Sequence, residues 1–254
     1  MDTPSHILIT GASSGIGRAL AESYAKPGVV LFLGGRNADR LKKVHDSCKH
    51  KGADVVIGVI DVQDSTAMGE WVLDCDARYP LDLVIANAGI SAGTGGPEGE
   101  SDDQVRRIFD TNVTGVLNTI HPAISQMRNR GCGQIAIMSS IAAFHGLPSA
   151  PAYSASKAAV KSYGEGLRGH LRNDGIRLSV ICPGYVRSRM TDANTFPMPF
   201  LMDAWKAAGI IRRGLARNKA RIVFPWPMYF AVWLLSVLPS SWSDCLVSRL
   251  PRKP

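Results

Sequence analysis

Tyr153 and Lys157 stand four residues apart in the segment Tyr153-Ser154-Ala155-Ser156-Lys157. The stretch follows Pro148 and Pro151 and reads as a helix, so this spacing puts a phenol and an ammonium on one face. An isolated tyrosine titrates at about 10, and a fixed cation beside it favours the phenolate. The pair is therefore suited to acid–base work near neutral pH. Upstream, an apolar run ends in Met138-Ser139-Ser140, and Ser140 can donate a hydrogen bond to a substrate carbonyl.

A second constellation opens the chain. The apolar run His6 to Thr10 leads directly into Gly11-Ala12-Ser13-Ser14-Gly15-Ile16-Gly17 and then into a helical pattern over Arg18 to Lys26. Gly11 allows a tight turn, the glycine-rich bend lets backbone approach a pyrophosphate, and the helix N-terminus offers it free N–H groups and a positive dipole end. A glycine trio alone is a weak signal. Strand before, helix after and the TGxxxGxG spacing make it a dinucleotide site. The next apolar run ends Leu33-Gly34-Gly35-Arg36, without the acid that would grip a ribose 2′-hydroxyl. Arg36, with Arg40 a turn further on, is suited to a 2′-phosphate instead, which favours NADP(H) over NAD(H). Asp61, followed by Val62, has two readings: hydrogen bonding to an adenine amine, or capping the following helix.

These residues need a scaffold, and the periodicity supplies one. Short apolar runs at His6 to Thr10, Val29 to Gly34, Asp54 to Ile60, Leu81 to Ala86, Gln134 to Ser139, Arg177 to Ile181 and Arg221 to Phe224 alternate with helical stretches. Apolar on both faces, they read as strands of a buried parallel sheet. The expected fold is a single α/β, Rossmann-like doubly wound domain over residues 1–224, with seven parallel strands, helices on both faces, and ligands at the carboxyl ends of the strands. An apolar helical extension over 225–254 follows. With 254 residues, 45% apolar and 20% charged, disorder, collagen and coiled coil are excluded.

The five cysteines, Cys48, Cys75, Cys132, Cys182 and Cys245, are scattered and never spaced CxxC, against a disulfide framework or structural zinc. The first residues lack a basic region and a long apolar run, so neither a signal peptide nor a membrane anchor is expected there, and a cytoplasmic setting is.

At this point the chain resembles the classical short-chain dehydrogenase/reductase family over nearly all of residues 5–224. The resemblance is carried by TGASSGIG at 10–17, Asn87-Ala88-Gly89, Asn112, Ser140, YSASK at 153–157 and Pro183-Gly184. It implies Tyr153 as proton donor or acceptor, Lys157 holding the nicotinamide ribose and lowering the tyrosine pKa, Ser140 orienting the carbonyl, and Asn112 positioning a water for proton relay. It also implies that Asn87, Ala88 and Gly89 floor the cofactor site and that Pro183, Gly184, Val186 and Ser188 contact the nicotinamide end. Ser188 departs from the usual threonine, keeping the hydroxyl and losing a methyl. The implied activity is hydride transfer between a nicotinamide and a carbonyl or alcohol carbon, and the implied assembly is a homodimer or homotetramer. The alternatives are a non-catalytic dinucleotide-binding sensor or scaffold and a membrane-peripheral reductase of lipids or acyl chains; the intact Ser140, Tyr153 and Lys157 argue against the sensor.

By the same resemblance residues 188–218 form a substrate lid, and Met190, Met198, Met202, Phe196 and Phe200 suit a hydrophobic substrate. Phe144 and His145 are expected in the same pocket. Net charge is +8, and it is unevenly spread: residues 161–254 hold 15 Lys/Arg against 5 Asp/Glu, whereas residues 1–160 hold 14 against 16. No nucleic-acid module accompanies this charge, so no nucleic-acid partner is expected. The apolar run Met228 to Leu238 is far short of the about 20 residues a bilayer span needs. Apolar all round, it must be covered by the domain, a partner subunit or a membrane interface. Lys206, Arg212, Arg213, Arg217, Lys219 and Arg221 before it, and Arg249, Arg252 and Lys253 after it, make peripheral membrane contact through residues 205–254 one of those options.

Overall fold

A computed structural model of the chain describes residues 4–94, 99–192, 194, 196–239 and 241–243. Cys245, Arg249, Arg252 and Lys253, singled out above, lie outside the described residues. One sheet of seven parallel strands forms, in the order β3-β2-β1-β4-β5-β6-β7. The strands are β1 (His6–Thr10), β2 (Val30–Gly35), β3 (Asp54–Val59), β4 (Leu83–Ala86), β5 (Gly133–Met138), β6 (Ile176–Pro183) and β7 (Arg221–Phe224). They are the seven runs read from the sequence, with ends displaced by a residue or two.

The helices between them are α1 (Gly15–Tyr24), α2 (Ala38–His50), α3 (Ser65–Arg78), α4 (Asp102–Phe109), α5 (Gly115–Arg130), α6 (Pro151–Leu171), the short α7 (Arg189–Asp192) and α8 (Ala204–Ala216). After β7 comes α9 (Trp226–Val237). Each parallel connection needs such a crossover, and the apolar strands are the surface that these helices bury. On one face, Leu20 and Ala21 of α1 meet Ala207 and Ile211 of α8 over Ile7, Ile9 and Leu31. On the other, Met68 and Val72 of α3, Ile120 of α5 and Val160 of α6 cover Leu8, Phe32, Val84 and Ile137.

The chain winds outward from β1 to β3 and then returns to β4 on the other side of β1. That reversal separates the loops after β1 and β4 and opens a crevice at the carboxyl end of the sheet. One strand departs from expectation. β3 is an edge strand, and Ile57 and Val59 are exposed, so it is not apolar on two covered faces.

Candidate active site

The turn after β1 is built to bring backbone close to something. Gly11 has φ +66, a conformation that strains any residue with a Cβ. A Cβ on Gly17 would lie 2.4 Å from the Gly11 carbonyl oxygen and 2.5 Å from Asn87 Nδ2, so helix α1 can close on the turn only with glycine there. Asn87 fastens the turn to the end of β4, its Nδ2 donating to the carbonyls of Thr10 at 2.9 Å and Gly11 at 3.3 Å. The Thr10 hydroxyl accepts from the Asn87 and Ala88 amides at 3.1 and 3.3 Å. Ser14, at the N-cap of α1, makes no side-chain cap, and the first turn holds no acid. Its N–H groups are thus left for an anionic ligand.

Beyond this turn the cavity continues past β2. Arg36 extends from the end of β2 with its side chain mostly exposed, and pairs with Asp61 at 3.4 Å. Asn37 caps α2 by accepting from the Arg40 amide at 2.9 Å, which sets Arg40 in the first turn facing the same space. Arg40 Nε is buried there without a hydrogen-bond partner. Asp61 accepts from the Gln63 amide at 3.1 Å and does not cap α3. That task falls to Asp64, which accepts from the Ala67 amide at 3.0 Å. The capping reading of Asp61 is thereby corrected: a turn intervenes, so the cap lies three residues further on, at Asp64, and the helix begins at Ser65. Val62 is buried at the cavity's edge.

Around the carboxyl end of β5, the predicted residues converge. Ser139, Ser140, Tyr153 and Lys157 all line the cavity. Ser139 Oγ donates to the Lys157 carbonyl at 2.8 Å and ties α6 to the strand. Ser140 Oγ accepts from the Ala142 amide at 3.1 Å and reaches the Pro183 carbonyl only at 3.5 Å, the outer limit of a hydrogen bond. Its hydroxyl also bonds the Tyr153 phenol. Lys157 Nζ is buried, donates to the Met138 carbonyl at 3.0 Å and stands 5.9 Å from the centre of the Tyr153 ring.

The electrostatics differ from the expectation in one respect. Burial pushes the Tyr153 phenol up, and the opposing pull is the Ser140 hydrogen bond, not the Lys157 charge. Burial also pushes the Lys157 ammonium down to about 8. The i,i+4 spacing does bring the two side chains together, with Lys157 Nζ 5.9 Å from the Tyr153 ring centre, but desolvation is the largest cause of both shifts and neither charge is a cause of the other's.

Asn112 does not sit in a regular helix. It lies in a π-helical turn, Asp110–Thr114, between α4 and α5. Its Oδ1 accepts from the Ile90 amide at 2.8 Å, and its Nδ2 donates to the Ile90 carbonyl at 2.9 Å and to Ser156 Oγ at 3.0 Å. A Cβ on Gly89 would be 3.1 Å from Asn112 Oδ1 and 3.2 Å from Lys157 Nζ, so Gly89 lies between these two polar groups.

The whole space is about 820 Å³. Pro183, Gly184, Val186 and Ser188 line it, as do the glycine turn residues Gly11, Ser13, Ser14, Gly15 and Ile16. Ser188 is held by Thr191, whose hydroxyl accepts from the Ser188 amide at 2.8 Å and donates to the Val186 carbonyl at 3.1 Å. Of the apolar lid residues, Met190 and Phe196 reach the cavity. Met202 instead pairs with Val186 through its backbone and packs on the core, Met198 accepts from Asn194, and Phe200 is exposed.

Phe144 and His145 do not line this cavity. A 3₁₀ turn over Ile141–Ala143 carries them to a separate shallow depression, where Phe144 meets Tyr229 edge-on at 5.0 Å. Sequence reasoning missed Tyr185, which lines the cavity and meets Phe196 at 6.0 Å. Its place directly after Pro183-Gly184, at a strand's carboxyl end, was the available signal. The remaining wall is α9, through Met228, Ala231, Val232 and Leu235.

Comparison with known proteins agrees with this architecture. A model of the short chain dehydrogenase family matches residues 5–197. An uncharacterized oxidoreductase of Myxococcus xanthus is 40% identical over 244 residues, 96% of each chain. The 11-beta-hydroxysteroid dehydrogenase A of Arachis hypogaea is 36% identical over 187 residues, covering 72% of this chain and 52% of that protein. The crystal structure of a short chain dehydrogenase/reductase from Burkholderia phymatum in complex with NAD superposes with a TM-score of 0.81 at 25% identity, over 98% of this chain and 97% of that one. Since the family match takes in both the glycine turn and the Ser140, Tyr153 and Lys157 wall, and the first of these relatives runs the length of the chain, the protein belongs to the short-chain dehydrogenase/reductase family of oxidoreductases.

Proposed function

We propose that the protein reduces a hydrophobic ketone or aldehyde to the alcohol with NADPH. The observation that carries this reading is that Ser140, Tyr153 and Lys157 share one cavity with both an uncapped helix N-terminus and an apolar wall of Met190, Phe196, Met228 and Val232. The cradle suits a dinucleotide: Gly11 and Gly17 let α1 close on the turn, and Gly11, Ser13, Ser14 and Gly15 line the cavity at the uncapped start of α1, where a pyrophosphate would sit. Arg36 and the unpartnered Nε of Arg40 would hold a 2′-phosphate, with Asp61 and Val62 beside the adenine. Asn87, Ala88 and Gly89 would floor the site, and Pro183, Gly184, Val186 and Ser188 would meet the nicotinamide end.

When bound, the reduced nicotinamide supplies the hydride taken by the carbonyl carbon. Tyr153 gives its phenolic proton to the carbonyl oxygen. An ordinary phenol already carries its proton at neutral pH, as a donor in the reductive direction must; in the free protein burial pushes its pKa up, against the Ser140 hydrogen bond, so the bound cofactor and substrate would have to ease the release. Ser140, weakly engaged with Pro183, turns its hydroxyl to the same oxygen and fixes the carbonyl's orientation. Lys157 spends one donor on Met138 and has two left for ribose hydroxyls. Asn112 and Ser156 brace the Lys157 side of the site, and a water held there would return the proton. The steroid-acting relative supports a bulky substrate, within the part of its length this chain covers.

Two titrations test the reading. NADPH should bind the wild type at least about tenfold more tightly than NADH, and Arg36→Ala should erase the difference by weakening NADPH alone. Equal binding of both by the wild type would refute the 2′-phosphate contact. Tyr153→Phe should retain NADPH affinity while kcat for a hydrophobic ketone falls by about 100-fold or more. Undiminished turnover in that variant would remove the phenol from the chemistry.

A further inference from the structure

Among the described residues the cavity is lined by four cations, Arg36, Arg40, Lys157 and Arg189, against one carboxylate, Asp61. Three of the four already have a place: Arg36 and Arg40 at the end past β2, and Lys157 in the wall beside Tyr153. Arg189, the first residue of α7, has none. Its side chain makes no ion pair and no hydrogen bond among the described residues, whereas Arg187, two residues earlier, is neutralised by Asp203 at 3.1 Å. The backbone brings Arg189 to one part of the cavity. A Cβ on Gly15, the first residue of α1, would lie 3.0 Å from Ser188 Cβ, so the residue before Arg189 rests directly against the start of α1. Thr191 fixes Ser188 there, its hydroxyl accepting from the Ser188 amide at 2.8 Å.

We propose that Arg189 binds the cofactor's pyrophosphate from the lid side, its guanidinium lying over the two phosphates that the start of α1 holds from below; this rests on the dinucleotide reading of that cradle. The charge of the site asks for such a group. The glycine turn and the helix end offer neutral donors and a dipole worth about half a charge, to a group that carries two negative charges. Arg18, the cation within α1, is turned to Glu22 at 2.8 Å and does not line the cavity. A guanidinium one residue past the Ser188–Gly15 contact, unpaired and facing the same space, supplies the missing charge in a planar fork that matches phosphate oxygens. The contact also reaches the substrate end. Met190, the next residue, lines the apolar wall, so a bound pyrophosphate would steady the surface on which a hydrophobic ketone packs.

The test is calorimetric titration of the full chain and of Arg189→Met with NADPH, NADH and adenosine 2′-phosphate, which has no pyrophosphate. The substitution should weaken NADPH and NADH alike, each by about tenfold, and leave adenosine 2′-phosphate unaffected. That pattern differs from the one expected of Arg36→Ala, which weakens NADPH alone. Arg189→Lys, which keeps the charge without the fork, should recover part of the loss, and Arg189→Glu should deepen it. An unchanged denaturant midpoint shows that each variant is folded. A variant that binds both dinucleotides as tightly as the wild type overturns the proposal. So does a loss confined to NADPH, or an equal loss with adenosine 2′-phosphate, since either would place the guanidinium away from the pyrophosphate. A wild type that binds neither dinucleotide overturns the proposal together with the cofactor reading. Ketone reduction, followed separately, reports on the reductase reading: no turnover with the binding pattern intact would leave the Arg189 contact standing.

Discussion

Lys157 is buried without a carboxylate partner among the described residues, and that has a measurable thermodynamic consequence. Its ammonium is pushed down to about 8, against 10.5 for an ordinary lysine. Between those two values the unfolded chain holds a proton that the folded chain has released, so stability must rise with pH across that window. Compared with Lys157→Met, the free protein should gain up to about 3 kcal/mol as pH climbs from 8 toward 10.5. Denaturant melts of both proteins along the pH series would measure the gap; a constant gap would mean the lysine is not desolvated. The residue types around it were legible because phenol, ammonium and hydroxyl have few uses at such spacing. Their balance was not. A sequence shows that Lys157 can approach Tyr153, but not that both will be dry enough for burial to be the largest cause of both shifts.

Helix α6 carries both of those side chains, so its N-terminus must be firmly held. Ala150 at the N-cap offers no side-chain oxygen. Glu100, from the segment before α4, takes that place, its Oε2 accepting from the Ala152 amide at 2.8 Å one residue before Tyr153. Glu100→Ala should cost about 1 kcal/mol of stability and lower kcat as the first turn frays, whereas Glu100→Gln, which keeps an acceptor, should lose less. Denaturant midpoints with steady-state rates would decide, and equal effects of the two changes would argue against a cap.

Such a cap joins residues 52 positions apart and has no local signature. The same limit explains the other departures. The seven strands were readable from apolar runs, but the exposed edge of β3 depends on strand order. Asp61 and Asp64 look equally fit to cap α3, and only the helix's actual start separates them. The π-helical turn at Asn112 and the 3₁₀ turn that carries Phe144 away each alter direction by about a residue, below what hydrophobic periodicity resolves.

At the scale of the whole molecule, the cavity is a joint product of segments far apart in the chain. The sheet's carboxyl edge supplies the chemistry, the lid one apolar wall, and α9 another, more than 70 residues after Tyr153. A cavity of about 820 Å³ must hold a cofactor and leave room for substrate, so its least constrained wall should set substrate size. That wall is α9, which packs on the fold through β7 and the 141–143 turn. Val232→Trp should therefore lower kcat/KM for a bulky ketone by about tenfold or more while leaving NADPH affinity and the rate with a small aldehyde little changed. Parallel loss with both substrates would show that the indole disturbs the hydride geometry, whereas no loss with either would mean that α9 lines space the substrate never enters. The division of labour matters for specificity: in the proposed reaction Ser140, Tyr153 and Lys157 would act on a carbonyl of any size, and α9 would decide which molecules bring one within reach.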